Sequence, residues 1–185
     1  MQLKKGQKAP LFVTHDIWGN IIDLKLIGDK KILLCFFRYA ECSVCQLRVS
    51  EIMGAKTRFS EQGIKVIAVF QSPAESLRLT IADKPHFDFA VIADPERVLY
   101  DLYFVKPSWI KLFKTINLSG VKRIFKSIRA GFKPGGKVEG LFHQIPADFI
   151  IDSNKDILAA KYGNNVVDHI PLSEILAEQN GYSQR

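Results

Sequence analysis

Two cysteines separated by two residues are the part of this sequence best suited to chemistry. Cys42 and Cys45 enclose a serine and a valine, and thiols three residues apart on one helical face can close a disulfide. A thiolate is also a nucleophile. The remaining cysteine, Cys35, lies in an apolar run and is interpreted as a small buried apolar residue. The spacing therefore predicts a redox-active pair that alternates between dithiol and disulfide.

Two alternatives remain for the pair. A structural zinc site draws four ligands, commonly from two such pairs, but the chain has no second pair and its four histidines are scattered. The other alternative is a chance pair of inert cysteines. Redox chemistry fits better than either, so we expect no metal and no bound cofactor, and an external thiol as the reductant.

The residues around the pair predict a strand, a turn and a helix. Residues 32–37 form an apolar run typical of a strand buried on both faces, and Leu47, Ile52 and Phe59 follow with helical spacing. Free N–H groups at a helix start favour an anion and lower a thiol pKa from about 8.5 to roughly 3.5 to 7.5. Cys42 is nearer that end and is predicted to be the more exposed thiol with the lower pKa, although the Glu41 carboxylate would oppose its ionisation.

Strands and helices alternate along the rest of the chain. We expect an N-terminal β-hairpin, a second buried strand, a helix with Ser72 as its N-cap and Pro73 in its first turn, a short apolar segment, another helix, two late strands and a closing helix. These lie at residues 11–24, 64–70, 72 onward, 87–93, 94–103, 146–152, 156–162 and 171 onward. This order predicts an α/β fold with a mixed central sheet and helices on both faces.

Length and composition indicate one globular domain. The chain has 185 residues and a net charge of +7, and its longest apolar runs are far shorter than the ~20 residues that span a bilayer. Positive charge at the N-terminus is not followed by the apolar segment of a signal peptide. We therefore expect a cytoplasmic protein, in a compartment where a dithiol persists. No nucleic-acid-binding motif is present.

The positive charge is concentrated in one segment. Residues 102–138 contain nine Lys or Arg and no acid, and apolar residues with helical spacing predict two short amphipathic helices on either side of Ser119 and Gly120. We interpret residues 106–140 as a basic helical insertion. From Lys106 to Lys137 it could contact an anionic membrane or an acidic protein, or it could cover the sheet near the cysteines with its lysines in solvent.

Taken together, these features resemble the thioredoxin superfamily and, within it, the peroxiredoxin-like branch that carries the alkyl hydroperoxide reductase/thiol-specific antioxidant domain. The resemblance rests on residues 6–12, 42–45, 93–95 and 145–152. It covers nearly the whole chain except the basic insertion. It implies a thioredoxin-like fold and an antioxidant oxidoreductase that acts on disulfides or peroxides and is reduced by a thioredoxin- or glutathione-type thiol.

The resemblance also implies a substrate-positioning pair. The family usually has a cis proline that faces the active-site disulfide, and Pro146 matches its position. Ile145 would then present its backbone to an extended substrate beside the sulfurs. The alternative is that Pro146 begins a strand with an ordinary trans bond.

The chain departs from peroxiredoxins at the residues that activate peroxide. The family's proline, threonine and peroxidatic cysteine fall on Arg38, Cys42 and Cys45, and its late arginine falls near Pro146. Arg38 or Arg48 could supply a cation near the sulfurs. His143 could act as an acid or base at the mouth of the site, or be an ordinary surface or core histidine.

Three functions remain open from the sequence. In disulfide exchange, Cys42 attacks a substrate disulfide and Cys45 resolves the mixed disulfide. In a peroxidase, Cys45 is oxidised by the peroxide and Cys42 resolves it. The third is a non-catalytic binding module that docks through its basic insertion. The dithiol–disulfide cycle is our leading prediction.

Overall fold

A five-stranded mixed sheet with helices on both faces forms the centre of the computed structural model, which describes residues 2–81 and 89–177. The strands are β1 (Val13–His15), β2 (Ile21–Asp23), β3 (Lys31–Phe36), β4 (Ile64–Phe70), β5 (Ala90–Ala93), β6 (Ala147–Ile151) and β7 (Ile157–Tyr162). The helices are α1 (Ser43–Gly54), α2 (Lys56–Glu61), α3 (Ala74–Thr80), α4 (Val98–Leu102), α5 (Trp109–Phe113), α6 (Leu118–Arg129) and α7 (Leu172–Ala177). No helix in these described ranges is long and apolar enough to cross a membrane.

The middle strand, β3, is the one that leads to the cysteines. The strand order is β5-β4-β3-β6-β7. Strand β3 runs parallel to β4 and antiparallel to β6, and β4 runs parallel to β5. Its residues from Ile32 onward are buried on both faces, as the unbroken apolar run predicts.

The two faces of β3 supply two separate cores. Leu33, Cys35 and Phe37 point into the core that also contains Cys42 and Cys45. The intervening residues of β3 point to the opposite core, with the aromatic rings of α4 and β6. Because side chains alternate along a strand, the choice of face places Cys35 beneath the same helix as the redox pair.

The predicted N-terminal hairpin and the buried strands are confirmed. Strands β1 and β2 pair antiparallel, and β3, β4, β6 and β7 lie within one residue of the predicted ends at 32–37, 64–70, 146–152 and 156–162. Of the predicted apolar segment at 87–93, residues 90–93 form β5, and Phe87 lies outside the described residues.

Two local predictions are wrong. The residues from Leu47 to Phe59, which follow the cysteines with helical spacing, do not form one unbroken helix, because Ala55 takes φ −101° and ψ 5° and separates α1 from α2. Ser72 is not the cap of α3: Pro73 takes the N-cap position, and the Ser72 hydroxyl instead accepts a hydrogen bond from the N–H of Ala40 at 2.8 Å. A tertiary donor has thus replaced the local one that the sequence pattern suggests.

The basic insertion forms two helices, as predicted. Side chains cap both of them, since Ser108 accepts from the N–H of Lys111 in α5 and Asn117 accepts from the N–H of Gly120 in α6. Gly120 lies in the first turn of α6, and a Cβ there would be 2.0 Å from the carbonyl oxygen of Thr115. The close approach of α6 to the chain that precedes it therefore requires glycine at this position. Helix α6 packs on α1.

Candidate active site

Cys42 and Cys45 lie where β3 has ended and α1 begins, as predicted. Cys42 is the N-cap of α1, with extended backbone angles of φ −71° and ψ 109°. Its carbonyl accepts the first helical hydrogen bond, from the N–H of Gln46 at 2.9 Å. Cys42 therefore directly precedes the first turn of α1, whose backbone N–H groups have no partner within the helix.

The two sulfurs are in contact in the reduced state. Both cysteines are free thiols, and the Cys45 thiol donates a hydrogen bond to the Cys42 sulfur over 2.7 Å. A small rotation about the side-chain bonds would bring the sulfurs to the ~2.05 Å of a disulfide. The pair is therefore arranged to be oxidised within one chain.

Cys42 is not the exposed thiol that the sequence predicts. Cys42 and Cys45 are only 3% and 2% exposed, because residues of the basic insertion cover the turn in front of them. The hydroxyl of Ser127 contacts that of Ser43 at 3.3 Å, and the backbone N–H of Lys137 donates to the carboxylate of Glu41 at 2.8 Å. A segment distant in sequence thus closes the site.

Arg38 supplies the cation of the site. Its Nη1 donates to the Cys42 sulfur at 3.5 Å and its Nη2 donates to the carbonyl oxygen of Phe142. The guanidinium carbon lies 5.0 Å from the ring centres of both Tyr39 and Phe142. Aromatic rings and a carbonyl therefore hold this buried guanidinium against the sulfur.

These contacts divide the roles of the two thiols. Burial alone would raise the pKa of Cys42, but the hydrogen bond from Cys45 and the positive charge of Arg38 outweigh it and lower that pKa to about 7. Burial raises the pKa of Cys45 well above its ordinary value, and the hydrogen bond and negative charge of Cys42 add to this effect. At neutral pH about half of the molecules therefore hold a Cys42 thiolate beside a Cys45 thiol.

Limited alkylation tests this division. With limiting iodoacetamide near pH 7, we expect Cys42 to be labelled before Cys45, and the rate to rise with pH through a midpoint of about 7. Peptide mass spectrometry locates the label. The Cys42→Ser variant is the control and should show no midpoint near neutrality. Labelling of Cys45 first would contradict the assignment.

The Ile145–Pro146 bond is trans, so the cis bond implied by the family resemblance is wrong. The β3–β6 ladder begins at Ala147, opposite Phe36, and a proline directly before a ladder leaves no N–H unpaired. The carbonyl of Pro146 accepts from the N–H of Gly163 at 2.9 Å. Ile145 is 2% exposed and belongs to the core that contains the two cysteines. The placement supports the strand-start alternative, and substrate positioning by Ile145 and Pro146 stays a prediction.

The two remaining candidates for support contact other groups. The His143 ring stacks on Trp109, with centres 4.4 Å apart. Arg48, on the turn of α1 after Cys45, donates to the carbonyl oxygen of Ile170 at 2.6 Å and lies 3.9 Å from Asp148. Of the predicted cations, Arg38 is thus the one that touches a reactive sulfur.

Comparison with known proteins agrees with this geometry. Residues 5–160 match the model of the AhpC/TSA family.

The chain belongs to the AhpC/TSA family.

Its relatives include proteins named for both thiol chemistries. A Mycobacterium tuberculosis protein named as a peroxiredoxin is 22% identical over 169 residues, which are 91% of each chain. Thiol-disulfide oxidoreductase ResA of Halalkalibacterium halodurans is 25% identical over 104 residues, 56% of this chain and 58% of the relative. The crystal structure of peroxidoxin BcpB from M. tuberculosis superposes with a TM-score of 0.69 at 16% identity, covering 98% of this chain and 99% of that one.

These findings establish the chemistry at the level of the family. The fold is thioredoxin-like, of the peroxiredoxin-like branch, and the protein is a thiol-dependent oxidoreductase. Within residues 2–81 and 89–177, no group of three or more His, Cys, Asp or Glu side chains is arranged to hold a metal ion.

A buried ionic network beneath α1 was missed by the sequence analysis. The carboxylate of Asp148 on β6 accepts from the backbone N–H of Ile170 at 2.7 Å, lies 2.9 Å from Nδ1 of His169, and faces Arg48. Burial opposes its ionisation, but the charges of His169 and Arg48 outweigh burial and lower the pKa of Asp148. The signal for this network in the sequence was Asp148 itself, an acid within an otherwise apolar strand. His169 is its partner, 21 positions along the chain.

Removing one member of this network is expected to destabilise this AhpC/TSA protein strongly, because its partners stay buried. Asp148→Ala leaves Arg48 and His169 buried without their carboxylate, which should lower the free energy of unfolding by about 3 to 5 kcal/mol. Asp156→Ala removes a carboxylate from an exposed pair with Lys8 and should cost no more than about 0.5 kcal/mol. Urea unfolding of both variants gives the comparison. Equal losses would show that the buried network is not stabilising.

Proposed function

We propose that this AhpC/TSA protein reduces peroxides or protein disulfides by cycling Cys42 and Cys45 between dithiol and disulfide, with Cys42 as the attacking sulfur. The observation that carries the proposal is the double contact of the Cys42 sulfur, which receives one hydrogen bond from Arg38 and another from Cys45. The cycle needs no bound cofactor. A thioredoxin- or glutathione-type thiol supplies the two electrons, in a reducing compartment such as the cytoplasm.

With a disulfide substrate, the Cys42 thiolate attacks one sulfur and displaces the other as a thiolate. Cys45 then loses its proton and attacks the Cys42 sulfur, which releases the second substrate sulfur. The substrate gains two electrons and two protons, and the enzyme is left with a Cys42–Cys45 disulfide. Because Arg38 remains beside Cys42 throughout, it favours Cys42 as the leaving group when the external thiol later attacks the disulfide.

With a peroxide, the Cys42 thiolate attacks one oxygen and the O–O bond breaks. The departing oxygen leaves as water or an alcohol, and Cys42 becomes a sulfenic acid. The Cys45 thiol, already in contact with the Cys42 sulfur, condenses with it and releases water. In this step Arg38 neutralises charge near the departing oxygen, a role for which a fixed guanidinium is suited.

The alternative with Cys45 as the peroxidatic residue fits the site less well. Burial and the negative charge of Cys42 raise the pKa of Cys45, so Cys45 is the proton-bearing partner at neutral pH. A sulfur that keeps its proton until its neighbour has reacted is suited to resolving.

The experiment is a stopped-flow measurement on the reduced protein with hydrogen peroxide and, separately, with oxidised glutathione or a disulfide-bonded protein. Consumption of one equivalent of oxidant, with formation of an intrachain Cys42–Cys45 disulfide detected by peptide mapping, would support the proposal. The ratio of the two rate constants identifies the preferred oxidant. If neither oxidant produces that disulfide, the proposal is wrong and the chain is a binding module.

A further inference from the structure

The amphipathic helix α6 carries its apolar stripe on the outside. Leu118, Val121, Phe125 and Ile128 recur with the spacing of one helical face and are 74%, 38%, 62% and 43% exposed. A helix on a globular protein normally turns such a face toward the core. Here the stripe faces away from the protein.

The side of α6 that faces the protein presents one large apolar residue, Ile124, which packs against the core, and is otherwise small or polar. Gly120 and Ser127 are buried, and Arg123 makes a two-pronged contact with Glu51 of α1 at 2.8 and 2.9 Å, to which Lys126 adds a third hydrogen bond. Three hydrogen bonds to one carboxylate fix the rotation of α6 about its axis. The outward direction of the stripe is thus held by specific contacts.

Helix α5 and the link to α6 extend the exposed apolar surface. Trp109, Ile110 and Phe113 are 54%, 72% and 65% exposed, and Ile116 is 79% exposed. Single exposed apolar residues are ordinary, but a run of them over two adjacent helices marks an interaction surface. We extend the name apolar stripe from α6 to all the exposed apolar residues of α5, of α6 and of the link between them.

Cations without partners accompany the stripe. Within the part of the chain that the structure describes, no ion pair or side-chain hydrogen bond holds Lys114, Lys122, Arg129 or Lys133, all of them exposed. Lys122 and Arg129 lie next to the stripe on the helical wheel, because each is four residues after a stripe residue, Leu118 or Phe125. The sequence contains no acid between residues 102 and 138, so nothing local neutralises this charge.

We propose that the apolar stripe and its cations bind the surface of an anionic lipid bilayer, with α5 and α6 lying in the plane of the interface. Aliphatic side chains enter the boundary between headgroups and acyl chains, Lys and Arg extend to lipid phosphates, and Trp109 has the ring type that prefers this zone. A second copy of the chain would bring one cationic rim against another. An acidic protein would meet the charge, but it gives no account of so long an aliphatic and aromatic stripe.

Fluorescence of the full-length protein reports the contact directly. The chain has two tryptophans, so Trp18→Phe leaves Trp109 as the only reporter and Trp109→Phe leaves Trp18. Vesicles of phosphatidylcholine with 30% phosphatidylglycerol should shift the emission of Trp109 to shorter wavelength and leave that of Trp18 unchanged. A shift of Trp18 alone, or of neither, would overturn the proposal.

Co-sedimentation with the same vesicles separates the apolar and charged contributions. Wild-type protein should bind pure phosphatidylcholine vesicles at least tenfold more weakly than the anionic vesicles. Two double variants should each bind the anionic vesicles at least tenfold more weakly than the wild type. One is Phe125→Ser with Ile128→Ser, and the other is Lys122→Glu with Arg129→Glu. Matched controls outside the insertion are Leu26→Ser, at a residue 77% exposed, and Lys25→Glu with Lys30→Glu, which should bind like the wild type.

Three results would overturn the proposal. The first is absence of binding to anionic vesicles. The second is loss of binding on charge reversal but not on the serine substitutions, which would indicate an acidic protein or polyanion. The third is self-association of the protein that Phe125→Ser abolishes, which would indicate a second copy of the chain. Peroxide and disulfide reduction should be unchanged in every variant, since none of these residues touches the sulfurs. Failure of the membrane proposal is therefore distinguishable from failure of the proposed redox function.

Discussion

Cys42→Ser is expected to abolish reduction of both peroxides and disulfides, with a loss on the order of 10³-fold or more in turnover, as follows when the nucleophile itself is removed. The reason lies in the arrangement of donors. The Cys42 sulfur is the one that receives hydrogen bonds from both Arg38 and Cys45, and no other thiol in the site has a lowered pKa.

Cys45→Ser should separate the first step from the second. The variant keeps Cys42 and Arg38, so it should consume one equivalent of oxidant and stop at a sulfenic acid with peroxide, or at a mixed disulfide with a disulfide substrate. Dimedone trapping and intact-mass measurement detect these products. Cys35→Ala is the matched control, since the groups that act on the buried Cys35 thiol are Asp148 and Arg48 rather than Cys42 or Cys45; the turnover of this variant should remain at the wild-type level. Peroxide turnover retained in Cys42→Ser and lost in Cys45→Ser would reverse the assignment and make Cys45 the peroxidatic residue.

Arg38→Met is expected to have the second largest effect, through the ionisation of Cys42. With the guanidinium gone, only the hydrogen bond from Cys45 still opposes burial, so the pKa of Cys42 should rise from about 7 toward the ordinary value of 9.0. If it reaches that value, the thiolate fraction at pH 7 falls from about one half to about one per cent, so the initial attack should slow by up to roughly 50-fold.

The pH profile distinguishes this role from a merely structural one. Absorbance of the thiolate at 240 nm and the rate of alkylation should both move to a higher midpoint in Arg38→Met, and much of the lost rate should return near pH 9.5. Arg38→Lys retains a charge but cannot hold the sulfur and the Phe142 carbonyl together, so an intermediate midpoint is expected. Arg58→Met, at an exposed arginine, should not move the midpoint. An unchanged midpoint in Arg38→Met would show that Arg38 only packs.

The lowered pKa of Cys42 also has a consequence for the reduced fold. A thiol whose pKa is lower in the folded state than in the unfolded chain contributes stability above the unfolded pKa, and this contribution disappears as the pH falls through the folded value. For Cys42 the window runs from about pH 9 down to about pH 7. The same energy that stabilises the thiolate therefore stabilises the dithiol form against oxidation, as in other low-pKa pairs.

Helix α1 connects the parts of the molecule that carry these effects. Residues at successive turns of this helix contact different neighbours: Cys45 contacts the attacking sulfur, Arg48 approaches the carboxylate of Asp148 on the sheet, and Glu51 binds Arg123 and Lys126 of α6. Side chains three apart lie on adjacent parts of one face. The proposed bilayer-binding helix thus packs directly on the helix that begins at the redox pair.

Periodicity and motif spacing were sufficient to predict the framework. An unbroken apolar run is typical of a strand buried on both faces, and this applies to β3 and β4. The CxxC after such a strand predicted a redox pair at a helix start, and the repeated apolar spacing after Trp109 predicted both helices of the insertion. Each of these features depends on residues within about ten positions of one another, so local pattern alone contains the information.

The tertiary structure decided everything that depends on residues distant in the chain. Arg38 became the cation beside Cys42 because Phe142, 104 positions away, supplies the carbonyl that anchors it. Cys42 was buried because Lys137, at the end of the insertion, contacts Glu41 beside it. The apolar stripe of the insertion faces outward because Glu51 pairs with Arg123 and Lys126 on the other side of α6. The trans form of the Ile145–Pro146 bond, directly before the β3–β6 ladder, was likewise visible only in the structure. The amino-acid sequence determined which groups could do the chemistry, and packing between distant segments determined which sulfur carries the charge, because pKa values depend on burial and on charges that only folding brings together.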